Sequence, residues 1–548
     1  MSENGSVRAE RPSVLAPFRH ETFRMLWLAT LVSNLGGLVQ SVGAGWMMTT
    51  LTSSHNMVAL VQASTTLPIM VFSIAAGALA DNFDRRIVML IAQGGMMVVS
   101  IMLAVLALLG LLNPWLLLCF TFLIGCGTAL FNPSWQASMG DIVPRSDLPG
   151  AVTLNSMGFN MMRSVGPAVG GLIVALAGAA AAFAVNAVSY LPLIYALARW
   201  KPERVPNRLP RENFASAMWA GVRYVSLSPN LTTVLFRGFL FGFSATAILA
   251  LLPSVARDYV GGGALAYGTL LGCFGLGAIG GAFFNGRIRE RFSNEVIVRL
   301  ACVGFALSSV VLGFSRDPLL SHFALLPAGA CWVLALSLFN VSIQLSSPRW
   351  VVGRALSLYQ TATFGGMAAG AWVWGLSADA LGPDSALALA GSTMLACALV
   401  GFRLPLPQFN ARDLNPLNTF NEPILKLDLR PRSGPIMVMV DYIIDQEDIP
   451  RFLALMADRR HIRIRDGARQ WGLLRDLAHP EIWTESYHVP TWIDYLRHNM
   501  RRTKADADNV EQLRALHRGA EVPAVRRFIE RQTVPLSDDT PLRDTPEV

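Results

Sequence analysis

Arg163 is the residue whose position most suggests chemistry. It lies about fourteen residues into the apolar stretch 150–174, far from either end. A charged side chain at that depth in a membrane is costly, and it normally faces the interior of a helix bundle or a water-filled cavity. An arginine there can bind an acidic or oxygen-rich small molecule, join the two sides of a gate, bind backbone carbonyl groups, or snorkel to an interface. We expect a cavity role, in substrate binding or in gating.

Uncharged polar residues at similar depth are the other candidates for a substrate path. The amides expected to line the cavity are Asn34, Gln40, Asn155, Asn160 and Gln360. Polar side chains inside membrane helices also serve as hydrogen-bonded contacts between helices, and this alternative stays open for each of them. Four tryptophans are interpreted as interfacial anchors or stacking surfaces: Trp46, Trp135, Trp332 and Trp372. Arg237, nearer the end of its apolar stretch, is expected to snorkel.

Residue sets typical of catalysis or metal binding are missing from the sequence. The acidic residues of the apolar region, such as Asp258 and Asp379, lie near the ends of apolar stretches. The 6 cysteines all fall inside such stretches, where they are expected to pack as small apolar residues. The C-terminal histidines match no metal-ligand spacing, and no Gly-x-x-x-x-Gly-Lys loop is present. We therefore predict no catalytic residues, no metal and no cofactor.

The candidate substrate-binding residues lie in long apolar stretches of the sequence, which must fold so as to bring them together. Only 15% of the 548 residues are charged, and the mean hydropathy is +0.42. A membrane-spanning helix needs roughly 20 mostly apolar residues, and backbone groups in lipid must be satisfied within the helix. Stretches of that length occur near 23–50, 57–80, 87–110, 114–137, 150–174, 178–198, 230–256, 264–285, 294–313, 319–342, 352–378 and 385–402. The sequence thus predicts twelve transmembrane helices.

Basic residues alternate between the loops that join these stretches. One set of loops carries the arginines and lysines, including Arg24, Arg85 and Arg86, whereas the other set holds only Arg257 and Arg316. Since cytoplasmic loops carry the excess of Lys and Arg, both termini are predicted to be cytoplasmic. The net charge of +8 is explained by these loops and by anionic lipid, so no nucleic-acid partner is expected.

The chain resembles itself at an offset of about 204 residues. Pro144-Arg145 matches Pro348-Arg349, and Gly166 matches Gly370. Gly171-Leu172 matches Gly375-Leu376 at the same offset. We interpret this as two parallel six-helix repeats, an arrangement in which the substrate path lies between the halves near the membrane midplane.

The segment between the second and third stretches is the most specific motif. Its sequence is Gly77-Ala-Leu-Ala-Asp81-Asn-Phe-Asp84-Arg85-Arg86. It resembles the signature loop of the major facilitator superfamily, with Asp84 where glycine is usual, as in the branch of enterobactin-type siderophore exporters and transmembrane secretion effectors. The resemblance covers roughly residues 15–405 and implies the major facilitator fold. It also implies a latch in which Gly77, Asp81, Arg85 and Arg86 close one side against Arg349 and Arg354 of the other half. A turn with surface charges is the structural alternative.

A second segment resembles the antiporter signature of drug and metabolite exporters. It runs Gly166-Pro167-Ala-Val-Gly170-Gly171, directly after Arg163. Pro167 removes a helix hydrogen bond and the glycines permit close helix packing, so a structural kink without significance for antiport is the alternative. Proton coupling is implied by the family resemblance and not by these residues.

A small cytoplasmic domain is predicted after the second half. Segments 435–444, 469–477 and 482–489 read as strands, and 448–460 and 492–502 as helices, which suggests an α+β fold. The run from Glu485 to Trp492 resembles the ferredoxin-like antibiotic-biosynthesis monooxygenases, which implies a dimerising or regulatory module. The predicted organisation is 1–200 and 229–405 for the two halves, 201–228 and 406–434 for linkers, 435–532 for the α+β domain and 533–548 for a disordered tail.

The sequence therefore predicts an all-α membrane protein with a small α+β domain, located in the bacterial inner membrane. Its expected function is export of a small amphipathic metabolite, such as a siderophore or drug-like compound, by alternating access. It is not expected to be an enzyme. One alternative is an importer of nutrients. Another is a membrane-tethered enzyme or ligand sensor that acts through the α+β domain.

Overall fold

The computed structural model describes residues 15–82, 84–144, 147–201, 214–348, 350–407, 417, 420 and 422–530. Inside helices, the description also leaves out the side chains at 73–82, 137, 149, 160, 164 and 214–217. The chain forms two compact units. The first comprises Met1–Arg211, Thr233–Val341 and Ser357–Leu406, and the second comprises Glu212–Thr232, Ser342–Leu356 and Pro407–Val548. The predicted tail 533–548 lies outside the described residues.

The first unit is a bundle of long apolar helices. They are α1 (Glu21–Leu51), α2 (His55–Asn82), α3 (Arg85–Leu108), α4 (Pro114–Ile142) and α5 (Leu148–Arg199); after α6 of the second unit follow α7 (Pro229–Val255), α8 (Gly263–Arg291), α9 (Asn294–Phe314), α10 (Pro318–Leu345), α11 (Val352–Leu381) and α12 (Pro383–Arg403). In the described part of the chain, nine helices are long and apolar enough to cross a membrane.

Helix α5 has a break where the sequence predicts a loop between two spans. It is 52 residues long, and Gly178 inside it adopts φ 81° and ψ 170°, outside the helical region. Glycine tolerates a positive φ because it has no Cβ. The helix is therefore interrupted by a kink at Gly178, at the boundary between the two predicted stretches 150–174 and 178–198.

Loop residues set the ends of several helices. Asn113 caps α4 by accepting a hydrogen bond from the backbone N–H of Leu116 at 2.9 Å. Ser293 caps α9 in the same way. Such caps satisfy N–H groups that have no partner within the helix.

The second unit contains a four-stranded antiparallel sheet. Its strands are β1 (Ile436–Ile443), β2 (Arg469–Arg475), β3 (Ile482–Val489) and β4 (Ala524–Ile529). They lie in the order β2-β3-β1-β4. Helix α13 (Ile449–Asp466) connects β1 to β2, whereas α14 (Trp492–Met500) and α15 (Lys504–Leu516) connect β3 to β4. The chain thus follows a β-α-β-β-α-β order, with α14 and α15 in the place of the second helix.

The three predicted strands and the two predicted helices of this domain are all present. Alternating burial along β1 places Ile436, Val438 and Val440 in a core with Phe452 of α13 and Trp492 of α14. The sequence missed α15 and β4. Almost every residue of β4 is exposed, so the strand lacks the alternation of apolar and polar residues that reveals a half-buried strand.

The second unit also includes α6 (Phe214–Ser226) and the chain around Trp350. The guanidinium group of Arg465 lies 5.0 Å from the ring centre of Tyr224, and that of Arg501 lies 4.2 Å from Trp350. Tyr224 and Trp350 meet edge to face at 5.4 Å. The imidazole of His461 hydrogen-bonds the carbonyl of Leu227 at 2.8 Å. We call this set of contacts the arginine–aromatic clasp.

Candidate functional site

Arg163 of α5 contacts aromatic side chains of the other half of the bundle. Its guanidinium carbon lies 5.4 Å from the ring centre of Trp332 on α10 and 5.9 Å from that of Phe274 on α8. Both rings are buried, whereas Arg163 is only half-buried. Among the described residues, no carboxylate forms an ion pair with Arg163. The site thus joins the two halves through a cation held against two aromatic rings, a favourable electrostatic contact.

The glycines after Arg163 allow close packing on both sides of α5. A Cβ atom added to Gly166 would lie 2.8 Å from the Cβ of Leu38 on α1, and one added to Gly170 would lie 3.0 Å from the Cα of Val39. On the other side, a Cβ on Gly171 would lie 2.6 Å from the Cα of Gly268 on α8. The segment with Pro167 therefore fixes α5 between its own half and the opposite half.

The positions 204 residues further along the chain have a similar arrangement. A Cβ on Gly370 of α11 would overlap the carbonyl oxygen of Phe243 on α7, as one on Gly166 would meet α1. A Cβ on Gly375 would lie 2.8 Å from the Oδ1 of Asn56 on α2. Gly171 and Gly375, matched at the offset of 204, thus each pack against a helix of the opposite half.

A hydrogen-bonded network between the halves lies in the loops that follow α1, α3, α7, α9 and α11, the set that contains Arg257 and Arg316. We call the end of the bundle with these loops the odd-loop end. Asp379 of α11 accepts hydrogen bonds from the Ser54 hydroxyl at 2.7 Å and from the backbone N–H of His55 at 2.6 Å. Arg257 donates to the carbonyl oxygens of Thr49 at 3.1 Å and Thr52 at 3.3 Å. The sequence missed these roles; the available signal was that Arg257 is one of two arginines in the odd loops.

The signature segment is described in part. Gly77 and Asp81 belong to α2, but their side chains lie outside the described residues. Asp84 caps α3 and accepts a hydrogen bond from the backbone N–H of Arg86 at 3.0 Å. Its replacement of the usual glycine thus provides an acceptor at the helix N-terminus.

Both arginines of the segment bind within their own half. Arg85 forms an ion pair with Asp141 of α4 at 2.8 Å. Arg86 donates to the carbonyl oxygens of Leu197 at 2.8 Å and Ala198 at 2.6 Å, at the C-terminal end of α5. A cation is favourable there because the last carbonyl groups of a helix carry partial negative charge.

Of the two predicted latch partners on the second half, the structure describes only Arg354. Arg349 lies outside the described residues, and Arg354 is half-buried at the start of α11. A Cβ on Gly221 of α6 would lie 2.8 Å from the Cβ of Arg354, so these two segments touch within the second unit.

The expectation for Arg237 was wrong. Its side chain is completely buried and pairs with Glu295 of α9, and it donates to the carbonyl of Leu404 at 3.3 Å. Arg299 binds the same carboxylate at 2.8 Å. The partner is 58 residues away on another helix, which the sequence pattern around Arg237 does not reveal.

The predicted amides occupy different settings. Gln40 is buried, and its side-chain oxygen accepts hydrogen bonds from Ser100 at 2.8 Å and from Asn186, within the first half. Asn155 accepts from the indole N–H of Trp135 at 2.9 Å. Asn34 and Gln360 are half-buried, and the side chain of Asn160 lies outside the described residues. Within the described residues, no group of three or more His, Cys, Asp or Glu side chains is placed to hold a metal ion.

Comparison with known proteins shows what this arrangement is similar to. A family described as "Transmembrane secretion effector" matches residues 12–533, including the sheet domain. The enterobactin exporter EntS of Shigella flexneri is 26% identical over 413 residues, which cover 72% of this chain and 96% of that protein. The staphyloferrin A transporter of Staphylococcus aureus is 29% identical over 287 residues, 46% of this chain and 71% of that protein.

Solved transporter structures share the fold at low sequence identity. The nucleoside transporter NupG superposes with a TM-score of 0.57 at 10% identity, covering 72% of this chain and 100% of that one. A bacterial homologue of the human lysosomal transporter Spinster, in an inward-facing and unoccupied conformation, gives a TM-score of 0.53 at 14% identity and covers 69% and 93% of the two chains.

Proposed function

Because the chain belongs to the transmembrane secretion effector family, we propose that it is a secondary transporter that exports a siderophore-like small molecule across the bacterial inner membrane. The names of the similar enterobactin exporter and staphyloferrin A transporter support this substrate class. We further propose twelve membrane spans, made by the apolar helices with α5 counted as two, and both termini in the cytoplasm. The β-α-β-β-α-β domain is proposed to be ferredoxin-like.

The contact of Arg163 with the opposite half is the observation that carries the proposal. A guanidinium group binds carboxylate and similar oxygen pairs with two parallel hydrogen bonds, and it also stacks on aromatic rings. Arg163 is held against Trp332 and Phe274 and pairs with no described carboxylate, so its hydrogen-bond donors can serve a substrate. An oxygen-rich anion is the ligand that this setting favours.

Further contacts along the path are proposed at Asn34, Asn155, Asn160 and Gln360. Gln40 is not part of the proposed path, because its amide oxygen already accepts hydrogen bonds from Ser100 and Asn186. Buried amides with satisfied hydrogen bonds hold helices together.

Alternating access is the proposed mechanism. The glycine contact between α5 and α8 and the network around Asp379 hold the halves together at the odd-loop end, which supports an outward-closed conformation. We propose that the opposite end is latched in the alternate state by Gly77, Asp81, Arg85 and Arg86 against Arg349 and Arg354. Proton coupling is part of the proposal.

The proposal is tested by efflux from cells and from proteoliposomes with an imposed pH gradient. The substrates are iron-free catecholate and carboxylate siderophores, and the variants are Arg163→Gln, Arg163→Lys and the matched control Arg199→Gln. Arg199 lies on the same helix and also faces a ring, Tyr195, at 5.9 Å, but it is exposed. We expect Arg163→Gln to lower efflux at least tenfold, Arg163→Lys to retain part of it, and the control to match the wild type.

Three results would contradict parts of this proposal. Normal efflux by Arg163→Gln would show that the arginine is a packing residue. An efflux rate that does not change with the imposed pH gradient would contradict proton coupling. Absence of transport of every siderophore by inserted wild-type protein would refute the substrate class.

The alternative is that the C-terminal domain carries the activity, as a tethered enzyme or sensor. Deletion of residues 432–548 separates the two possibilities. In the exporter proposal the shortened protein retains transport, whereas in the alternative all activity is lost. Dimerisation through this domain stays a prediction, and the mass of the full and shortened proteins in solution tests it.

A further inference from the structure

The C-terminal domain encloses a cavity between the sheet and its helices. Its volume is about 750 Å³, and its walls come from β1, β3 and β4, from the helices α13, α14 and α15, and from Leu417 and Phe420 ahead of β1. Small-molecule sites in proteins commonly have volumes of roughly 300–1,000 Å³. The cavity is therefore large enough for a small organic ligand.

Positive charge dominates the cavity wall. The arginines that line it are Arg459, Arg463, Arg502, Arg514 and Arg527, whereas its carboxylates are Asp506 and Glu511. Asp506 is already engaged, because it accepts from the Thr503 hydroxyl at 2.7 Å and pairs with Arg465 at 3.1 Å. The wall thus has more cations than available anions.

Two of these arginines share one buried carboxylate. Glu485 is fully buried and pairs with Arg463 at 3.0 Å. The Nε of Arg459 lies 3.6 Å from the same carboxylate, too far for a hydrogen bond. Arg459 is 5% exposed, and its Nε has no hydrogen-bond partner among the described residues. Burial alone would raise the pKa of Glu485, but the charges of Arg463 and Arg459 outweigh it and lower the pKa to about 2.

Arg502 is a third arginine of the wall, and it has no carboxylate partner among the described residues. It donates to the amide oxygen of Asn499 at 2.5 Å, and no described carboxylate pairs with it. Burial and the charges of Arg463 and Arg459 lower its pKa to about 10. A buried excess of positive charge is costly unless an anion compensates it.

Aromatic rings complete the wall. Tyr442, Tyr487 and Tyr495 line the cavity beside these arginines. The guanidinium of Arg463 lies 4.2 Å from the ring centre of Tyr487, and the Nε of Arg527 donates to the Tyr495 hydroxyl at 2.6 Å. Tyrosine faces offer stacking area to a planar ligand.

We infer that this cavity is a second small-molecule site, which binds an aromatic carboxylate or a similar anionic aromatic compound. Arg459 and Arg502 bind the anionic group, and the tyrosines pack against the ring. All residues of the site belong to the second unit, so the inference stands apart from the proposed export.

Calorimetric titration of the full chain in nanodiscs tests the inference. The probe is 2-naphthoate, and neutral 2-naphthamide controls for shape and for partition into lipid. The variants are Arg459→Gln, Arg502→Gln and Arg502→Lys. Arg526→Gln is the matched control, since Arg526 neighbours Arg527 on β4 but is 56% exposed and pairs with Asp441 outside the cavity. Arg163→Gln separates this site from the membrane unit.

We expect saturable binding of 2-naphthoate by the wild type, at least tenfold weaker binding of 2-naphthamide, and at least tenfold weaker naphthoate binding by both Gln variants. Arg502→Lys, Arg526→Gln and Arg163→Gln retain binding. Hydrogen exchange of β1 and β3 verifies that each variant is folded. If Arg459→Gln is not folded, the comparison of naphthoate binding by Arg502→Gln and Arg502→Lys tests the inference. Equal binding of amide and carboxylate, unchanged binding in Arg502→Gln, or no saturable binding by the wild type overturns the inference.

Discussion

Replacing Gly171 with alanine is expected to shift the conformational equilibrium of the bundle. The added Cβ would lie 2.6 Å from the Cα of Gly268 and 3.0 Å from the carbonyl oxygen of Ala264, whereas ordinary contacts are 3.4–4 Å. Helices α5 and α8 must therefore separate by up to about 1 Å at this point. Both atoms on α8 belong to the backbone, so no side-chain rotation relieves the overlap.

The magnitude follows from the energy of overpacking. Inserting a methyl group into a close-packed contact costs about 1–3 kcal/mol. In the proposed alternating-access mechanism this contact joins the two halves at the odd-loop end, so the cost falls on the outward-closed conformation and not on one in which α5 and α8 are apart. A difference of that size raises the ratio of outward-open to outward-closed molecules about 5- to 150-fold.

Electron–electron distance measurements provide the assay. Spin labels are placed at Leu111 and Leu319, which are 61% and 68% exposed in odd loops or beside them, after replacement of the 6 native cysteines. We expect a second, longer distance to gain population in Gly171→Ala and in Gly268→Ala. Gly280→Ala is the control, because no atom lies within 4 Å of its added Cβ on the same helix α8. If Gly171→Ala and Gly280→Ala give the same distances as the parent protein, the glycine contact does not hold the odd-loop end closed.

Two further predictions concern a helix cap and a buried histidine. Asp84→Ala is expected to cost about 1 kcal/mol at the start of α3, while Asp84→Asn retains the cap; hydrogen exchange of residues 85–91 should accelerate about fivefold only in the alanine variant. Burial and the charges of Arg463 and Arg502 lower the pKa of His498 well below 6.5. Below pH 6.5 the imidazole therefore becomes protonated in the unfolded domain but stays neutral in the folded domain. Stability is therefore complete above pH 6.5 and falls by about 1.4 kcal/mol per pH unit below it. Exchange of β1 in the full chain, corrected for intrinsic rates, should accelerate about tenfold at pH 5.5 in the wild type and stay constant in His498→Gln.

The helices were predictable because each depends on a local property of the sequence. Every apolar stretch expected to cross the membrane corresponds to a helix or to one part of α5, since length and apolar composition suffice to form it. The strand β1 was visible for a similar reason: its residues alternate between the core and solvent. Strand β4 exposes most of its residues, and two of the buried residues of α15 are the polar Asp506 and Asn509, so neither element shows a clear apolar pattern.

The site was predictable only as a set of residue types. The depth of Arg163 in its apolar stretch marked it as unusual, but its aromatic partners lie on α8 and α10. The odd-loop network was missed because Asp379 and Ser54 are 325 residues apart. Such pairs are fixed by the packing of the two halves, which no local pattern contains.

The arginine–aromatic clasp has a mechanical consequence. Helix α6 lies between α5 and α7 in the chain, and it contacts the C-terminal domain through Tyr224. Moving α6 away from the C-terminal domain would break the contact of Arg465 with the Tyr224 ring and the hydrogen bond of His461 with the carbonyl of Leu227. A cation–ring contact contributes about 0.5–2 kcal/mol, so the attachment of α6 to this domain depends on a few weak contacts.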